Sequence, residues 1–347
     1  MALSSSMQYI IKQSMATLRV VLQQPNADLP PSTEPARLVA DQGFWFSNFT
    51  IGASKNLEIL IDTGSSDAVL NPNIYQPGPK SYDTGSTFQV GYGTTNPDGS
   101  GTETATGKIY VDLIAQHGTD LSVSEQALGA ISSPQSPDTF PHQGLIGYAG
   151  YSSAQLGGKP FIHSLCDQKS LKECRFGLAL KTNGKGSLFY GGVKSSLFAG
   201  SLATASVIDE WLTTGDIIAN GKTIQSRATI VTDSGTTVIF GPTDQVIAMF
   251  KAARMHYHLS VDGAVTGYYP CSSPPSLGFR FPAGSSGSVF NAAPAALAYA
   301  KNGNNCTAVI QGTVGFGDQW LVGQAFFQGK YIDHNIDAGT MGFANLK

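Results

Sequence analysis

Residues 59–70, ILIDTGSSDAVL, lead from an apolar run into a turn rich in glycine and hydroxyl side chains. Asp62 ends the apolar run, and Thr63, Gly64 and Ser65 follow it. A carboxylate in such a place is costly unless neighbouring groups pair with it. One copy of the pattern, taken alone, is best read as an Asx-type turn between two strands.

The same pattern returns in IVTDSGTTVIFGP, residues 230–242. Asp233 again ends an apolar run, and Ser234, Gly235 and Thr236 follow it. Chance would produce one such motif in a chain of this size only about a few times in a thousand. A second copy is therefore strong evidence that the motif has a function.

Each copy is followed later in the chain by an apolar-apolar-glycine strand, GLIGYAG at 144–150 and WLVGQAF at 320–326. Two halves of similar plan predict a pseudo-symmetric protein with two lobes. If the lobes face each other, Asp62 and Asp233 meet. Two carboxylates at close range share one proton, so that one can accept a proton from water while the other protonates a carbonyl oxygen. This predicts hydrolysis by general acid–base catalysis without a covalent intermediate.

The rest of the chain is typical of an all-β protein. From Phe44 onward, short apolar runs alternate with turn signals. Helical periodicity is sparse: it begins near Thr243 and continues through QVIAMFKAARM, and a shorter candidate, FIHSLCDQ, follows Pro160. Trp211 and Trp320 lie in apolar runs, which predicts that both are in the core.

Composition excludes several classes of function. Charged residues make up only 13% of the chain and the net charge is −3, so we expect no nucleic-acid partner. No apolar run approaches the ~20 residues of a membrane span. The six histidines lack metal-ligand spacing, and no GxSxG or phosphate-binding loop motif is present. We therefore expect no metal and no cofactor.

The four cysteines lack CxxC spacing, which argues against a zinc or thioredoxin-like site. Their even number fits two disulfides and an oxidising compartment, with four buried free thiols as the alternative. Cys166 and Cys174 could close a small loop after the helix near residue 160, or remain two separate thiols. Asn48 and Asn305 begin sequons that allow N-glycosylation.

With these motifs the chain resembles the pepsin-like aspartic proteases over residues 44–347, and its overall texture suggests a fungal member. The resemblance implies an all-β, bilobal acid protease fold with pseudo-twofold symmetry and a few short helices. GSLFYGGVKSSLFAGSL at 186–202 is similar to the end of the family's first lobe. The implied division is an N-terminal strand and Pro-rich linker at 1–43, a first lobe at 44–200 and a second lobe at 201–347.

The resemblance also assigns roles by position. Asp62 and Asp233 would be the catalytic pair, and Cys271 would pair with Cys306. The residues that would support the two catalytic loops are Thr63, Gly64, Ser65, Ser234, Gly235 and Thr236. Among them, the hydroxyls of Ser65 and Thr236 would bond to the carboxylates, while Thr63 and Ser234 would grip the opposite loop. Ser234 stands where the family usually has threonine, so the hydroxyl is kept and a methyl group is lost.

The region above the predicted site departs from the family pattern. Val69 stands where the family has a tryptophan that hydrogen-bonds the tyrosine of the flap, the hairpin over the cleft. The hairpin at 88–112 contains Tyr92-Gly93, which is similar to the flap Tyr-Gly, but its spacing fits only if the tip is longer. The alternative is that the flap tyrosine is lost. Gln324 and Lys194 stand where the family often has aspartate.

The resemblance implies an aspartic endopeptidase that is active at acid pH and prefers hydrophobic residues around the scissile bond. Its partners would be extended polypeptides and statine-type inhibitors. We expect a monomer, made as a zymogen and either secreted or vacuolar. The alternative from another class is a non-catalytic pepsin-fold binding or inhibitor protein. An all-β carbohydrate-binding module would leave the two aspartate motifs unexplained.

The first 43 residues fit a complete pro-segment poorly, because they are short and contain few basic residues. TLRVVLQ at 17–23 is either a remnant pro-segment strand or the mature strand of the sheet between the lobes. Residues 25–35 contain four prolines and indicate an extended linker. The start of the chain lacks the charged and apolar regions of a signal peptide.

Overall fold

The computed structural model describes residues 34–94, 96, 98–134, 143–209 and 211–347. The strand at 17–23, most of the linker at 25–35, the pro-segment question, His142 and part of the tip turn at 96–99 lie outside these residues. Within them, the first-half strands are β1 (Ala36–Asp41), β2 (Phe44–Ile51), β3 (Ser54–Asp62), β4 (Ala68–Leu70), β5 (Tyr82–Gly93), β6 (Thr102–Gln116), β7 (Ser122–Pro134), β8 (Gly144–Gly147), β9 (Arg175–Leu180) and β10 (Lys185–Tyr190).

The second-half strands complete the set. They are β11 (Ala203–Ser206), β12 (Leu212–Ala219), β13 (Lys222–Asp233), β14 (Ile239–Pro242), β15 (His256–Leu259), β16 (Val265–Pro270), β17 (Leu277–Phe281), β18 (Ser288–Asn291), β19 (Ala298–Asn302), β20 (Asn305–Thr313), β21 (Gln319–Gly323), β22 (Lys330–Asn335) and β23 (Thr340–Asn345). The helices are α1 (Phe161–Asp167), α2 (Thr243–Ala252), α3 (Pro294–Leu297) and α4 (Gln324–Phe327), with single 3-10 turns at Tyr151–Ser153 and Ser195–Leu197.

The strands form two sheets. The larger has the order β11-β23-β22-β9-β10-β1-β2-β3-β8-β4-β7-β6-β5, and β2 also pairs with β6. The smaller has the order β15-β16-β20-β14-β21-β13-β12-β17-β18, and β19 pairs with β20. The mostly-β prediction with few short helices is confirmed. Three strands from beyond residue 200 lie in the larger sheet, and the division of the chain at that residue stays a prediction.

The repeated motif is matched by a repeated strand arrangement. In the larger sheet β3 runs parallel to β8, which places Asp62 opposite Gly147, and β8 is antiparallel to β4. In the smaller sheet β13 runs parallel to β21, which places Asp233 opposite Gly323, and β21 is antiparallel to β14. Each aspartate therefore leaves its strand at the same place in an equivalent set of three strands.

Both predicted helices form. α2 begins at Thr243, directly after Pro242, and buries Val246, Met249 and Phe250. α1 begins after Pro160 and buries its apolar residues. Proline is well suited to a helix start because its fixed φ and missing N–H cost nothing there. Trp211 and Trp320 are both buried, as predicted.

The four cysteines form the two predicted disulfides. Cys166 pairs with Cys174, with a Cα–Cα distance of 5.3 Å, and closes the loop that follows α1. Cys271 pairs with Cys306, with a Cα–Cα distance of 5.1 Å, and links the end of β16 to β20. Among the helices of the described residues, none is long and apolar enough to cross a membrane.

Candidate active site

The Asp62 carboxyl is held by its own turn. The Gly64 N–H donates to Oδ1 at 2.8 Å, and the Ser65 hydroxyl donates to Oδ2 at 2.5 Å. The side chain is only 6% exposed, so these donors replace water that burial removes. Both donors come from the three residues after the aspartate, and the sequence pattern therefore fixes this arrangement locally.

The second turn repeats the first. The Gly235 N–H donates to Oδ1 of Asp233 at 2.7 Å, and the Thr236 hydroxyl donates to Oδ2 at 2.5 Å. Asp233 is 8% exposed. Gly64 of the first turn lies against the Asp233 carboxyl and Gly235 of the second turn lies against the Asp62 carboxyl, so the structure brings together the pair that the motif repeat predicts.

Four hydrogen bonds tie the two turns to each other. The N–H of Thr63 donates to the Ser234 hydroxyl at 3.0 Å, and the N–H of Ser234 donates to the Thr63 hydroxyl at 2.9 Å. Each hydroxyl then donates to a backbone carbonyl of the opposite half, that of Thr232 at 3.3 Å and that of Ile61 at 2.7 Å. We call these bonds the grip. All their atoms are buried, so the grip holds both carboxyls in one geometry.

Gly64 and Gly235 lie directly against the opposite carboxyl. A Cβ atom at Gly64 would stand 2.4 Å from Oδ1 of Asp233, and one at Gly235 would stand 2.3 Å from Oδ1 of Asp62. Any side chain at either position would force the carboxyls apart. Glycine is required here for close approach rather than for backbone freedom.

Electrostatics follow from this closeness. Burial is the largest cause that raises the pKa of Asp62, and the negative charge of Asp233 raises it further. Hydrogen bonds from Ser65 and Gly64 oppose the rise. Because the two acids are coupled, the raised pKa belongs to the pair, which keeps one proton well above the ordinary range of an aspartate.

A cavity of about 240 Å³ opens above the carboxyls. Beside the two acids it is lined by apolar side chains, which are Phe44, Leu60, Leu145, Phe316 and Leu321. These side chains were not singled out in the sequence. Leu60, Leu145 and Leu321 lie in the strands that flank the two aspartates, and this register is the signal that could have found them.

The hairpin of β5 and β6 covers the cavity. Gly91, Tyr92, Gly93 and Thr94 line it, so the structure places Tyr92-Gly93 above the predicted site. Burial is the main cause of a raised pKa for the Tyr92 phenol, with smaller effects from the charges of Asp67 and Asp62. Val69 is fully buried and belongs to the apolar cluster against which Tyr92 packs. It fills space beneath the hairpin where the family has a hydrogen-bond donor.

Gln324 connects the second turn to the first half of the chain. Its Oε1 accepts from the Trp45 indole N–H at 2.9 Å and from the Gln328 amide at 3.0 Å, and its own amide donates to the carbonyl of Thr237 at 3.2 Å. A neutral amide thus replaces an acid in the wall behind the site. Lys194 is exposed, and its backbone N–H donates to the Tyr331 hydroxyl at 3.4 Å.

Asp67, five residues after Asp62, is also buried, and the sequence analysis did not single it out. Its oxygens accept the N–H groups of Gln155 at 2.7 Å and Leu156 at 3.2 Å. Burial raises its pKa, and these two hydrogen bonds oppose the rise. Asp67 therefore anchors the loop that contains Gln155 and Leu156, and it is not part of the pair formed by Asp62 and Asp233. In the described part of the chain, His, Cys, Asp and Glu side chains form no group of three that could hold a metal ion.

Comparison with known proteins agrees with this geometry. The sequence model described as eukaryotic aspartyl protease matches residues 44–346. The chain is similar to Secreted aspartyl protease 1 of Malassezia globosa, with 30% identity over 314 residues, 88% of this chain and 74% of the relative. It is also similar to the Aspartic protease of Phaffia rhodozyma, with 29% identity over 364 residues, 96% of this chain and 85% of the relative.

A solved structure agrees on the fold. The aspartic proteinase from Irpex lacteus superposes with a TM-score of 0.75 at 17% identity, over 91% of this chain and 98% of that one. The sequence relatives are fungal, as the texture of the sequence suggests. Since the family model matches most of the chain and a relative is 30% identical over the aligned residues, the chain belongs to the eukaryotic aspartyl protease family.

Proposed function

We propose that this chain is an endopeptidase that hydrolyses peptide bonds at acid pH with a water molecule activated between Asp62 and Asp233. The observation that supports this most is the symmetric pair of buried carboxyls. Each is held by one glycine N–H and one hydroxyl, and the charge of Asp233 helps to raise the pKa of Asp62. A pair that shares one proton contains an acid and a base within reach of the same peptide group.

The proposed reaction moves protons only through these two groups. The ionised carboxylate takes a proton from water as the water oxygen attacks the peptide carbon. The protonated carboxyl gives its proton to the carbonyl oxygen, which produces a neutral tetrahedral diol. Collapse of the diol breaks the C–N bond. The leaving nitrogen takes up the proton held by the first carboxyl, and one diol hydroxyl returns its proton to the second carboxylate as the product carbonyl forms, which restores the shared-proton pair.

The cavity supports a preference for hydrophobic residues around the scissile bond. Phe44, Leu60 and Leu145 form one apolar wall, contributed by the first half of the chain, and Phe316 and Leu321 form the other. Apolar side chains of a bound peptide would leave water on both sides of the carboxyls. Both aspartates and both walls come from one chain, which supports activity as a monomer.

We propose where the protein acts from its two disulfides and from the name of one relative. Two disulfides favour an oxidising compartment, and the Malassezia globosa relative is named a secreted protease. Asn48 and Asn305 are both exposed, so glycans could occupy either sequon. We infer secretion, or delivery to an acidic vacuole, and production as a zymogen.

Asp233→Asn tests the mechanism, and Asp120→Asn, at an exposed position, is the matched control. Casein digestion near about pH 4 should be lost in the first variant by at least about a thousandfold and unchanged in the second. Full activity of Asp233→Asn would refute the shared-proton mechanism. If the unmodified chain binds a statine-type inhibitor but cleaves nothing from acid to neutral pH, the non-catalytic binding protein becomes the better interpretation.

A further inference from the structure

The tip of the β5–β6 hairpin reaches across the cavity and rests on the second half of the chain. Gly99 lies so close to Val238 and Phe240 that an added Cβ would stand 2.4 Å from the valine Cγ2 and 2.7 Å from the phenylalanine Cζ. Gly99 is buried, although the neighbouring Asp98 is exposed. The tip is therefore packed onto a surface of the opposite half.

Two polar contacts accompany this packing. The hydroxyls of Thr94 and Thr236 are 2.7 Å apart. Thr236 already donates its only hydroxyl proton to Asp233, so Thr94 is the donor in this pair. The Gln311 amide also donates to the backbone carbonyl of Asp98 at 3.4 Å. We call the contacts of Thr94, Asp98 and Gly99 with the second half the clasp.

The clasp covers a surface that is continuous with the apolar lining of the cavity. Phe240 packs on Phe316, with ring centroids 5.7 Å apart, and Phe316 lines the cavity above the carboxyls. Val238, Phe240 and Gln311 together form what we call the seat. The seat offers apolar side chains and one amide, which suits an extended peptide: an apolar side chain can pack there while a backbone carbonyl accepts from the amide.

The hairpin tip makes these same two kinds of contact. Gly99 supplies the packing, and the Asp98 carbonyl accepts from Gln311. With the tip in place the cavity measures only about 240 Å³, below the 300 Å³ or more that is usual for a ligand pocket. A longer peptide that leaves the cavity on this side meets the tip.

We propose that the seat is a substrate-binding surface that the chain's own hairpin tip occupies, so that a long peptide must displace Asp98 and Gly99 to reach it. This inference rests on the proposed function, since it assigns an additional substrate contact to the same cleft. The clasp then discriminates by length: a short ligand that stays above the carboxyls leaves it closed, and a long ligand competes with it. The apparent affinity for the long ligand equals the intrinsic affinity multiplied by the fraction of molecules in which the seat is free.

Gly99→Ala unseats the tip, because its Cβ cannot fit against Val238. The substitution also strains the backbone, since φ at Gly99 is +79°. Gly85→Ala is the matched control: φ there is +73°, and an added Cβ has nothing within 4 Å. Gln311→Ala removes the amide contact without backbone strain.

Binding is measured by calorimetry with statine-containing peptides, which are not cleaved. One is a tripeptide, and two are heptapeptides extended to opposite sides of the statine, each about 23 Å long when extended. We expect Gly99→Ala to tighten one heptapeptide by about threefold to tenfold, as for a seat that is free in about a third to a tenth of molecules. Its tripeptide affinity should stay unchanged, and Gly85→Ala should change neither. Gln311→Ala should weaken the same heptapeptide in the Gly99→Ala background.

Three results would overturn the proposal: equal changes for long and short peptides, no change in Gly99→Ala, or the same change in Gly85→Ala. Absence of statine-peptide binding by the unmodified chain would overturn it as well. Casein hydrolysis by the unmodified chain is measured in parallel. Hydrolysis without length discrimination would support the proposed function and contradict only the proposal about the hairpin tip. Length-dependent binding without hydrolysis would support the proposal about the tip and contradict the proposed endopeptidase function.

Discussion

His334 should set how far the stability of this protein extends toward acid pH. It lies on β22 and is fully buried, with its ring stacked on Phe176 at 4.4 Å and set against the edge of Trp211 at 4.7 Å. Neither ring nitrogen makes a well-formed hydrogen bond within the described residues. Burial lowers the pKa of His334 to about 3 from 6.5, and the nearby backbone of Ile332 opposes this.

The sign of the effect follows from that direction. Because the folded pKa lies below the unfolded value, the unfolded chain binds a proton between about pH 6.5 and pH 3 that the folded chain does not. The stability that depends on a neutral His334 is therefore fully present above pH 6.5 and is lost progressively as the pH falls toward 3. At 1.36 kcal/mol per unit, the loss at about pH 3.5 relative to about pH 7.5 is at most about 4 kcal/mol.

His334→Phe removes the titrating group and keeps the ring contacts. Its extra volume changes the free energy of unfolding by about 1–3 kcal/mol at every pH, so the informative quantity is how the difference between variant and parent changes with pH. We expect urea unfolding to show the variant gaining up to about 4 kcal/mol on its parent between about pH 7.5 and pH 3.5. Both proteins carry Asp233→Asn to prevent self-digestion. His256→Phe, at an exposed position, is the control, and parallel pH curves for the His334 variant and its parent would refute the reasoning.

Ser234→Ala should lower the free energy of unfolding by about 2–4 kcal/mol, because it leaves two buried backbone groups of the grip unpaired; Ser234→Thr should stay within about 1 kcal/mol, and urea unfolding separates the two. Replacing both Cys166 and Cys174 by serine should cost about 2–3 kcal/mol, since that disulfide spans only 8 positions; a thermal shift no larger than that of an exposed serine variant would contradict this. Lys330→Met should stabilise the protein, because burial lowers the pKa of Lys330 to about 7; the gain measured by urea unfolding should grow as the pH falls from 10.5 to 7 and then level off. A gain that does not change with pH would show that the lysine does not titrate in that range.

The sequence was most informative where an interaction is local or repeated. Asp62 and its donors lie within four consecutive positions, and the second motif reproduces them, so both the contacts and the pairing of the halves could be predicted. α2 was predicted for a similar reason, because its stripe and its start lie in one short segment. Cys166 and Cys174 are close in the chain, which made their pairing a natural prediction.

Contacts between distant segments could not be predicted in this way. Nothing near Gln324 in the sequence indicates that its amide oxygen accepts from Trp45, or that its own amide reaches the carbonyl of Thr237. Nothing in the sequence indicates that His334 is buried without a well-formed hydrogen bond within the described residues, because a buried histidine usually has a hydrogen-bond partner. The packing of Gly99 against Val238 depends on the length and curvature of the hairpin, which residue types do not specify.

The two halves of this molecule are joined in two physically different ways on opposite sides of the carboxyls. Below them, the grip consists of four buried hydrogen bonds between backbone groups and two short hydroxyl side chains, and breaking it would strand polar groups away from water. Above them, the clasp consists of one hydroxyl pair, one long amide contact and the packing of Gly99, all of which a peptide can replace. The proposed acid–base catalysis requires the first join to stay fixed, because a shared proton depends on the distance between the two acids. The proposed admission of a long peptide requires the second join to open, and the difference in burial between the two joins would let one cleft satisfy both requirements.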